Sequence, residues 1–325
     1  MLTTKNKTLI DTNEHQGFIF ISDIHGQLNT LKLIKQARHD YPDFILVGGG
    51  DYIDGHRYSK EVMDYLKSQT NAVILRGNHE QMLLNFANDK DDPDFGFSSY
   101  VKPLWWENGG KSTLHSLFHR NFSLKQYIQA KELLKNSEYY DLLNQLPIMY
   151  ETPKIIFVHG GIHPDKNYNN PAKYPNNQDP QDDNYDQYRL WARQEYWWHQ
   201  GIIHDANTGI PAKWLSSEMS YFAHNKTGKV IVTGHTPTAL IHGAYDDWSI
   251  KNKHCILDKP FTKCNVLKIQ YQNEPARIFT DGGCHSKYKN HWGNVVILDS
   301  QGNILKIYNY DNQTGTDFDS LTTTD

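Results

Sequence analysis

The sequence predicts an α/β fold. Short apolar runs of strand length recur along the chain, and two segments between the first three have apolar residues at helical spacing. The runs also end repeatedly in clusters of Gly, Asp, Asn and His, the pattern of a parallel sheet that presents polar residues at the carboxyl ends of its strands. With 325 residues, 38% of them hydrophobic and 13% aromatic, the chain can bury a sizeable core.

Phe18 to Ile21, Phe44 to Val47 and Ala72 to Leu75 read as buried strands. Leu28 to His39 and Ser59 to Ser68 read as the helices between them, so the chain opens as βαβαβ. Residues 81–146 are expected to be mostly helical, with Leu114, Leu117 and Phe118 on one face and Tyr139, Leu142, Leu143 and Leu146 on another. A β-rich half follows, with strands expected at Ile155 to Val158, Val230 to Val232, His254 to Leu257, Val266 to Tyr271, Arg277 to Phe279, Val295 to Leu298 and Ile304 to Tyr308. Residues 163–186, rich in Pro, Asn, Asp and Tyr, read as a long surface loop, and the polar tail 311–325 as disordered. No repeat or linker divides the chain, so residues 1–310 are expected to form a single domain.

Composition excludes several functions. No apolar run approaches the roughly 20 residues a bilayer requires, and Met1 to Gln16 lacks the regions of a signal peptide, so a cytoplasmic location without membrane contact is expected. Lys and Arg total 33 against 37 Asp and Glu, and the net charge of -4 argues against nucleic acid as the main ligand. Cys255, Cys264 and Cys284 form no CxxC pair, which argues against a Cys-based zinc site.

Five of the clusters carry the chemistry: Asp23 and His25, Asp51 and Asp54, Asn78 and His79, His159, and His235. Carboxylate, amide and imidazole together suit Mn, Fe or Zn, and one carboxylate can bridge two such ions. Each fragment alone is a weak signal. All five in order, each after a strand-like run and flanked by glycines that let an ion or phosphate approach the backbone, mark a site for two divalent metals.

The segments Ser22-Asp23-Ile24-His25-Gly26, Gly50-Asp51-Tyr52-Ile53-Asp54, Gly77-Asn78-His79-Glu80, His159-Gly160-Gly161 and Gly234-His235-Thr236 resemble the ordered signatures of the metallophosphoesterases, specifically the phosphoprotein phosphatases. Arg76 to Leu83, Asn108-Gly109-Gly110, Leu190-Trp191-Ala192-Arg193 and Gly234-His235-Thr236-Pro237 are similar to the branch of phage lambda phosphatase and its bacterial relatives. The likeness runs from about Gly17 to Leu298. It implies two mixed β-sheets packed face to face and flanked by helices, with a dinuclear metal site at the strand ends.

The resemblance further implies that Asp23, His25 and Asp51 hold one metal and that Asp51, Asn78, His159 and His235 hold the other, with manganese expected and iron or zinc as alternatives. A hydroxide bridging the metals would attack phosphorus directly, without a phosphoenzyme. His79 would protonate the leaving oxygen, oriented by Asp54, and Arg193 would clamp the phosphate. One departure stands out: the family's Asp-Arg-Gly reads Asp54-Gly55-His56-Arg57 here, so either Arg57 or His56 reaches in from a reshaped turn, or the site holds phosphate with one arginine fewer.

The implied activity is hydrolysis of phosphomonoesters, chiefly phosphoserine and phosphothreonine in proteins, with phosphotyrosine as a further substrate. The alternative is hydrolysis of diadenosine tetraphosphate by a related family that typically carries Asp where this sequence has Glu80. A non-catalytic phosphopeptide-binding module is a third option, and the substrate is a phosphoprotein or a small phosphorylated molecule. The eukaryotic Ser-Ala-Pro-Asn-Tyr-Cys loop is missing, so sensitivity to inhibitors of those enzymes is not implied.

The remaining conspicuous residues read as structural. Arg76 is expected to pair within the fold, His163 to lie in a loop, and Trp105, Trp106, Trp197 and Trp198 to pack in the core. Asp165, Asp179, Asp182, Asp183 and Asp186 read as a solvated face. His285 and His291 fall where relatives have a loop near the metals, with no role that the sequence assigns.

Overall fold

The computed structural model describes residues 2–5, 7–88, 104–163, 188–193, 196, 223–238, 241, 265–285, 292–310 and 312–316. In chain order its strands are β1 (Leu2–Lys5), β2 (Thr8–Asp11), β3 (Gly17–Ile21), β4 (Ile45–Gly48), β5 (Ala72–Ile74), β6 (Met149–Glu151), β7 (Ile155–Val158), β8 (Val230–Thr233), β9 (Leu267–Ile269), β10 (Arg277–Phe279), β11 (Val295–Asp299), β12 (Ile304–Asn309) and β13 (Asn312–Thr316). The helices are α1 (Leu28–Asp40), α2 (Ser59–Lys67), α3 (Asn78–Ala87), α4 (Lys111–Phe118), α5 (Tyr127–Lys135) and α6 (Glu138–Gln145), and a kinked turn, Trp106–Gly110, leads into α4.

The strands form two mixed sheets, β13-β12-β11-β3-β4-β5 and β1-β2-β6-β7-β8-β10-β9. Period-two alternation explains how they stack. Phe18 and Phe20 of β3 and Ile45 and Val47 of β4 share a core with Ile155 and Phe157 of β7, Val232 of β8 and Ile278 of β10. The alternate residues Ile19, Ile21 and Leu46 lie on the outer face, under Leu31 and Ile34 of α1 and Val62 and Met63 of α2. On the other sheet Ile156, Val158, Ile231 and Phe279 form the outer core with Ile162, Ala192 and Tyr196. The fold class expected from the sequence is therefore the one observed.

Each sheet contains a parallel trio: β3, β4 and β5 in one, β7, β8 and β10 in the other. The α1 and α2 crossovers make the first trio possible, because parallel neighbours need a long connection. Helix α1 buries Leu31, Ile34 and Ala37 at helical spacing, and the Gln27 Oε1 caps it by accepting from the Asn29 and Thr30 amides at 2.6 and 3.3 Å.

Several expectations need correction. The second strand begins at Ile45 and ends at Gly48, leaving Phe44 only partly buried. The strands β1, β2 and β6 were not signalled by apolar runs; backbone pairing extends the sheet through them. Within the tail expected to be disordered, residues 312–316 form β13, paired with β12 at the sheet edge, where ladder hydrogen bonds can order a polar sequence. The expected strand His254 to Leu257 and nearly all of the loop 163–186 lie outside the described residues.

Candidate metal centre

The loops after β3, β4 and β5 are zipped to one another through the backbone. The Asp23 amide donates to the Gly50 carbonyl at 2.9 Å, His25 to Asp51 at 3.0 Å and Gly26 to Tyr52 at 2.8 Å. The buried Glu80 carboxylate joins the third loop: it accepts from the Asp51, Tyr52 and Gly77 amides, each at 2.8 Å. Burial and the Asp51 charge push its carboxyl up to about 7. Glu80, which the sequence offered only as a marker of substrate class, is thus a bracket that holds the strand ends together.

Backbone strain concentrates here. Asp23, His25, Asp51, Asp54 and His235 have φ of 55°, 48°, 59°, 67° and 66°, in the left-handed region. Such conformations cost about 1 to 3 kcal/mol each and persist where surrounding structure over-determines them, often at functional sites. Here they turn four of the proposed metal ligands and Asp54 off their strand ends. Gly50, with φ of 98°, permits a close approach: a Cβ there would come within 2.6 Å of Gly77 backbone and 2.8 Å of His159 Nδ1.

Asp51 lies at the centre. Its Oδ1 accepts from the His79 amide at 3.0 Å and stands 3.3 Å from His159 Nε2, while its Oδ2 is 3.8 Å from both His25 Nε2 and His79 Nε2. Burial alone would raise its carboxyl, but His159 and His79 hold it well below the ordinary carboxylate value. Two groups of donor atoms, each within 4.8 Å of one another, share this residue: His25, Asp51 and His79, and Asp51, His159 and His235.

The second sheet contributes from the opposite side. His159 Nδ1 donates to the Gly49 carbonyl at 2.8 Å, which turns Nε2 toward the Asn78 Oδ1 at 2.8 Å. The His235 amide donates to both oxygens of Asp23 at 3.0 Å, and its Nε2 is buried without a hydrogen-bond partner among the described residues. Burial and the charge of His159 hold the His235 imidazole well below its ordinary value, in the neutral form that ligates metals. Burial and Asp51 push the Asp23 carboxyl up to about 6, against the pull of His159.

These residues fit divalent metals. A buried imidazole nitrogen without a partner costs free energy unless something fills its lone pair. Asp51 is common to both donor groups, and the mixture of carboxylate, amide and imidazole suits transition ions. The two clusters, joined at Asp51, fit a dinuclear metal site.

His79 is held differently. Its Nδ1 bonds Asp54 Oδ2 at 2.7 Å, and Asp54 is fully buried, accepting from Thr113 Oγ1 at 2.5 Å and from Trp105 Nε1 at 2.9 Å. Burial opposes the charged imidazole, but Asp51 and Asp54 outweigh it and raise His79 to about 9. Trp105 therefore orients a carboxylate as well as packing in the core.

The other sequence-derived candidates divide. Arg193 is exposed on the rim, its Nη1 donating to Thr236 Oγ1 at 3.1 Å and to the His235 carbonyl at 3.4 Å. Arg57 is exposed and makes no hydrogen bond or ion pair among the described residues, while His56 Nε2 is engaged with the Cys284 carbonyl at 2.8 Å. Arg76 donates to Gln81 and to the Leu143 and Asn144 carbonyls, as a structural residue would. His163 stacks on Tyr188, with ring centroids 4.1 Å apart. Trp197, Trp198, His291 and the five loop aspartates lie outside the described residues.

Sequence reasoning passed over Asp281, Thr113 and the orienting role of Trp105. Asp281 is buried beyond β10, accepts from the Gly283 amide at 2.7 Å, and is pushed well above its ordinary value by burial and by Asp23. Its signal was present, since Thr280-Asp281-Gly282-Gly283 repeats the strand-end pattern of the other clusters.

Comparison with known proteins agrees with this geometry. The family described as calcineurin-like phosphoesterase matches residues 17–239. Shewanella-like protein phosphatase 1 of Plasmodium berghei (strain Anka) is 27% identical over 163 residues, which are 45% of this chain and 39% of that protein, so the match spans well under half of the relative. Among solved structures, a candidate diadenosine tetraphosphatase is similar with a TM-score of 0.48 at 16% identity, over 93% of this chain and 97% of the other. A cold-active protein-tyrosine phosphatase of a psychrophilic Shewanella species has a TM-score of 0.45 at 15% identity, over 98% and 85%. The chain belongs to the calcineurin-like phosphoesterase family.

Proposed function

We propose that the protein is a two-metal phosphatase acting on phosphomonoesters, chiefly phosphoserine and phosphothreonine in proteins, with phosphotyrosine as a further substrate. The observation that carries this reading is the His79–Asp54 pair at 2.7 Å, set beside two donor groups that share Asp51. In this reading Asp23, His25 and Asp51 hold one ion, and Asp51, Asn78, His159 and His235 hold the other. Manganese is the expected metal, with iron and zinc as alternatives. When bound, the two ions would supply Lewis acidity, activating water for in-line displacement and neutralising phosphoryl charge.

The protein's own residues do the rest. Asp54, fixed by Thr113 and Trp105, keeps the His79 Nδ1 proton engaged and leaves Nε2 to give its proton to the leaving oxygen. Arg193 offers its guanidinium to the phosphoryl oxygens from the His235 side. The name of the Plasmodium relative supports a phosphoprotein substrate.

The deciding experiment compares specificity constants on phosphopeptides and on diadenosine tetraphosphate. Phosphopeptides are expected to be preferred by at least about tenfold, or roughly 1.4 kcal/mol in the barrier. The reverse order would establish the dinucleotide hydrolase instead. Binding of phosphopeptide without turnover, by protein carrying two metals, would identify a binding module.

A further inference from the structure

We propose that His285 is a substrate-contacting residue: its imidazole hydrogen-bonds the phosphoryl oxygens on the side of the site where the Asp54–Gly55 turn offers no side chain. The proposal rests on the phosphatase reading above and adds to it a residue from the loop after β10.

Three imidazoles converge at this side. The His285 ring centroid lies 5.1 Å from His25 and 5.7 Å from His79, which are 4.7 Å from each other. His25 and His79 commit their Nδ1 atoms to the Ile53 carbonyl and to Asp54, and both direct Nε2 toward Asp51. His285 belongs to neither donor group whose ligand atoms fall within 4.8 Å of one another.

The loop that carries it is anchored. Asp281 through Cys284 are buried, the Gly283 amide is tied to Asp281, and His56 grips the Cys284 carbonyl immediately before His285. His285 itself is only partly buried.

Gly55 defines the space to be filled. A Cβ at that position would lie 3.4 Å from His25 Cβ and 3.9 Å from His285 Cδ2, so the bare turn faces the same two rings. With φ of 91° the position disfavours a larger residue, and His56 is turned to the Cys284 carbonyl. A neutral imidazole has one N–H, enough for one hydrogen bond to an anionic oxygen. The phosphoryl group would then be gripped by Arg193 from the His235 side and by His285 from the His25 side.

The test uses the full chain loaded with manganese and inorganic phosphate as the probe, with affinity measured by calorimetry and metal content by elemental analysis. His285→Ala is expected to weaken phosphate about tenfold, the loss of one hydrogen bond to a charged group, and to raise KM for an aryl phosphate more than it lowers kcat. His285→Gln, which keeps a donor and disturbs folding less, should stay within about threefold of the wild type. Two ions should remain bound in both variants. Unchanged phosphate affinity and KM in His285→Ala would overturn the proposal, and so would loss of an ion, which would make His285 a ligand. Wild-type protein that neither binds phosphate nor hydrolyses the ester would instead refute the phosphatase reading beneath it.

Discussion

The two halves of the candidate site are built in different ways. Asp23, His25, Asp51, Asp54, Asn78 and His79 come from three neighbouring parallel strands whose loops are laced together by backbone hydrogen bonds and by the three amides on Glu80. His159 and His235 come from a sheet whose strands are far apart in the chain, and they are steadied by the first half: His159 by the Gly49 carbonyl, His235 by the Asp23 carboxylate. The first half is a preformed bed of carboxylates. The second docks imidazoles onto it, one with a buried nitrogen that no hydrogen bond engages among the described residues. Strain and hydrogen bonding preorganise one side, while sheet packing aligns the other.

Asp51 is where the halves meet, so changing it should have the largest effect. Asp51→Asn is expected to reduce affinity for both ions by more than about 100-fold, beyond the range typical of outer-layer partners, and chelation of the wild type should likewise abolish turnover. Elemental analysis of the purified variant checks the first statement, and two ions retained at normal affinity would show that the halves are not joined through this residue.

A change confined to the first half should be more selective. His79→Asn should keep its metals yet slow turnover of poor leaving groups by roughly 10² to 10⁴, the range of general acid catalysis. An activated aryl phosphate should suffer much less, and equal losses on both substrates would assign His79 to binding. On the second half, Arg193→Ala should raise KM roughly 10- to 150-fold, the equivalent of about 1.5 to 3 kcal/mol of lost charge-assisted bonding, with metal content intact. Steady-state kinetics on one phosphopeptide measures this.

Smaller effects sharpen the contrast in preorganisation. Glu80→Gln replaces a carboxylate that accepts three amides by an amide that cannot accept them all, at a cost of about 1 to 3 kcal/mol in stability. Chemical denaturation should register it, and no change in midpoint would deny the lacing role. Arg57→Ala should be the least consequential, since that side chain is exposed without a described partner. A KM increase equal to that of Arg193→Ala would instead return Arg57 to the phosphate site, as the sequence proposed.

Much of the first half was legible in the chain. Phe18 to Ile21 alternates between inner core and helix-covered face as a buried strand must, and Asp23, His25 and Asp51 follow their strands within a few residues. The strands β1, β2 and β13, at or next to sheet edges, were not legible, because short, largely polar segments give no periodic signal where backbone ladders supply the order. Arg57 and His56 illustrate a second limit: both stand beside the turn in sequence, yet one is exposed and the other turns its ring to Cys284.

The sequence by itself determined the fold class, the strand-end clusters and the kinds of donor atoms they carry. These are local properties, set by side-chain period, turn chemistry and residue type over a few positions. Only the tertiary structure decided that Trp105 and Thr113 converge on Asp54, that Glu80 binds three amides, that His235 meets Asp23 across 212 positions, and that His285 packs beside His25 and His79. Those relations depend on how two sheets stack and how their loops close against one another, and that packing is settled by the whole buried core.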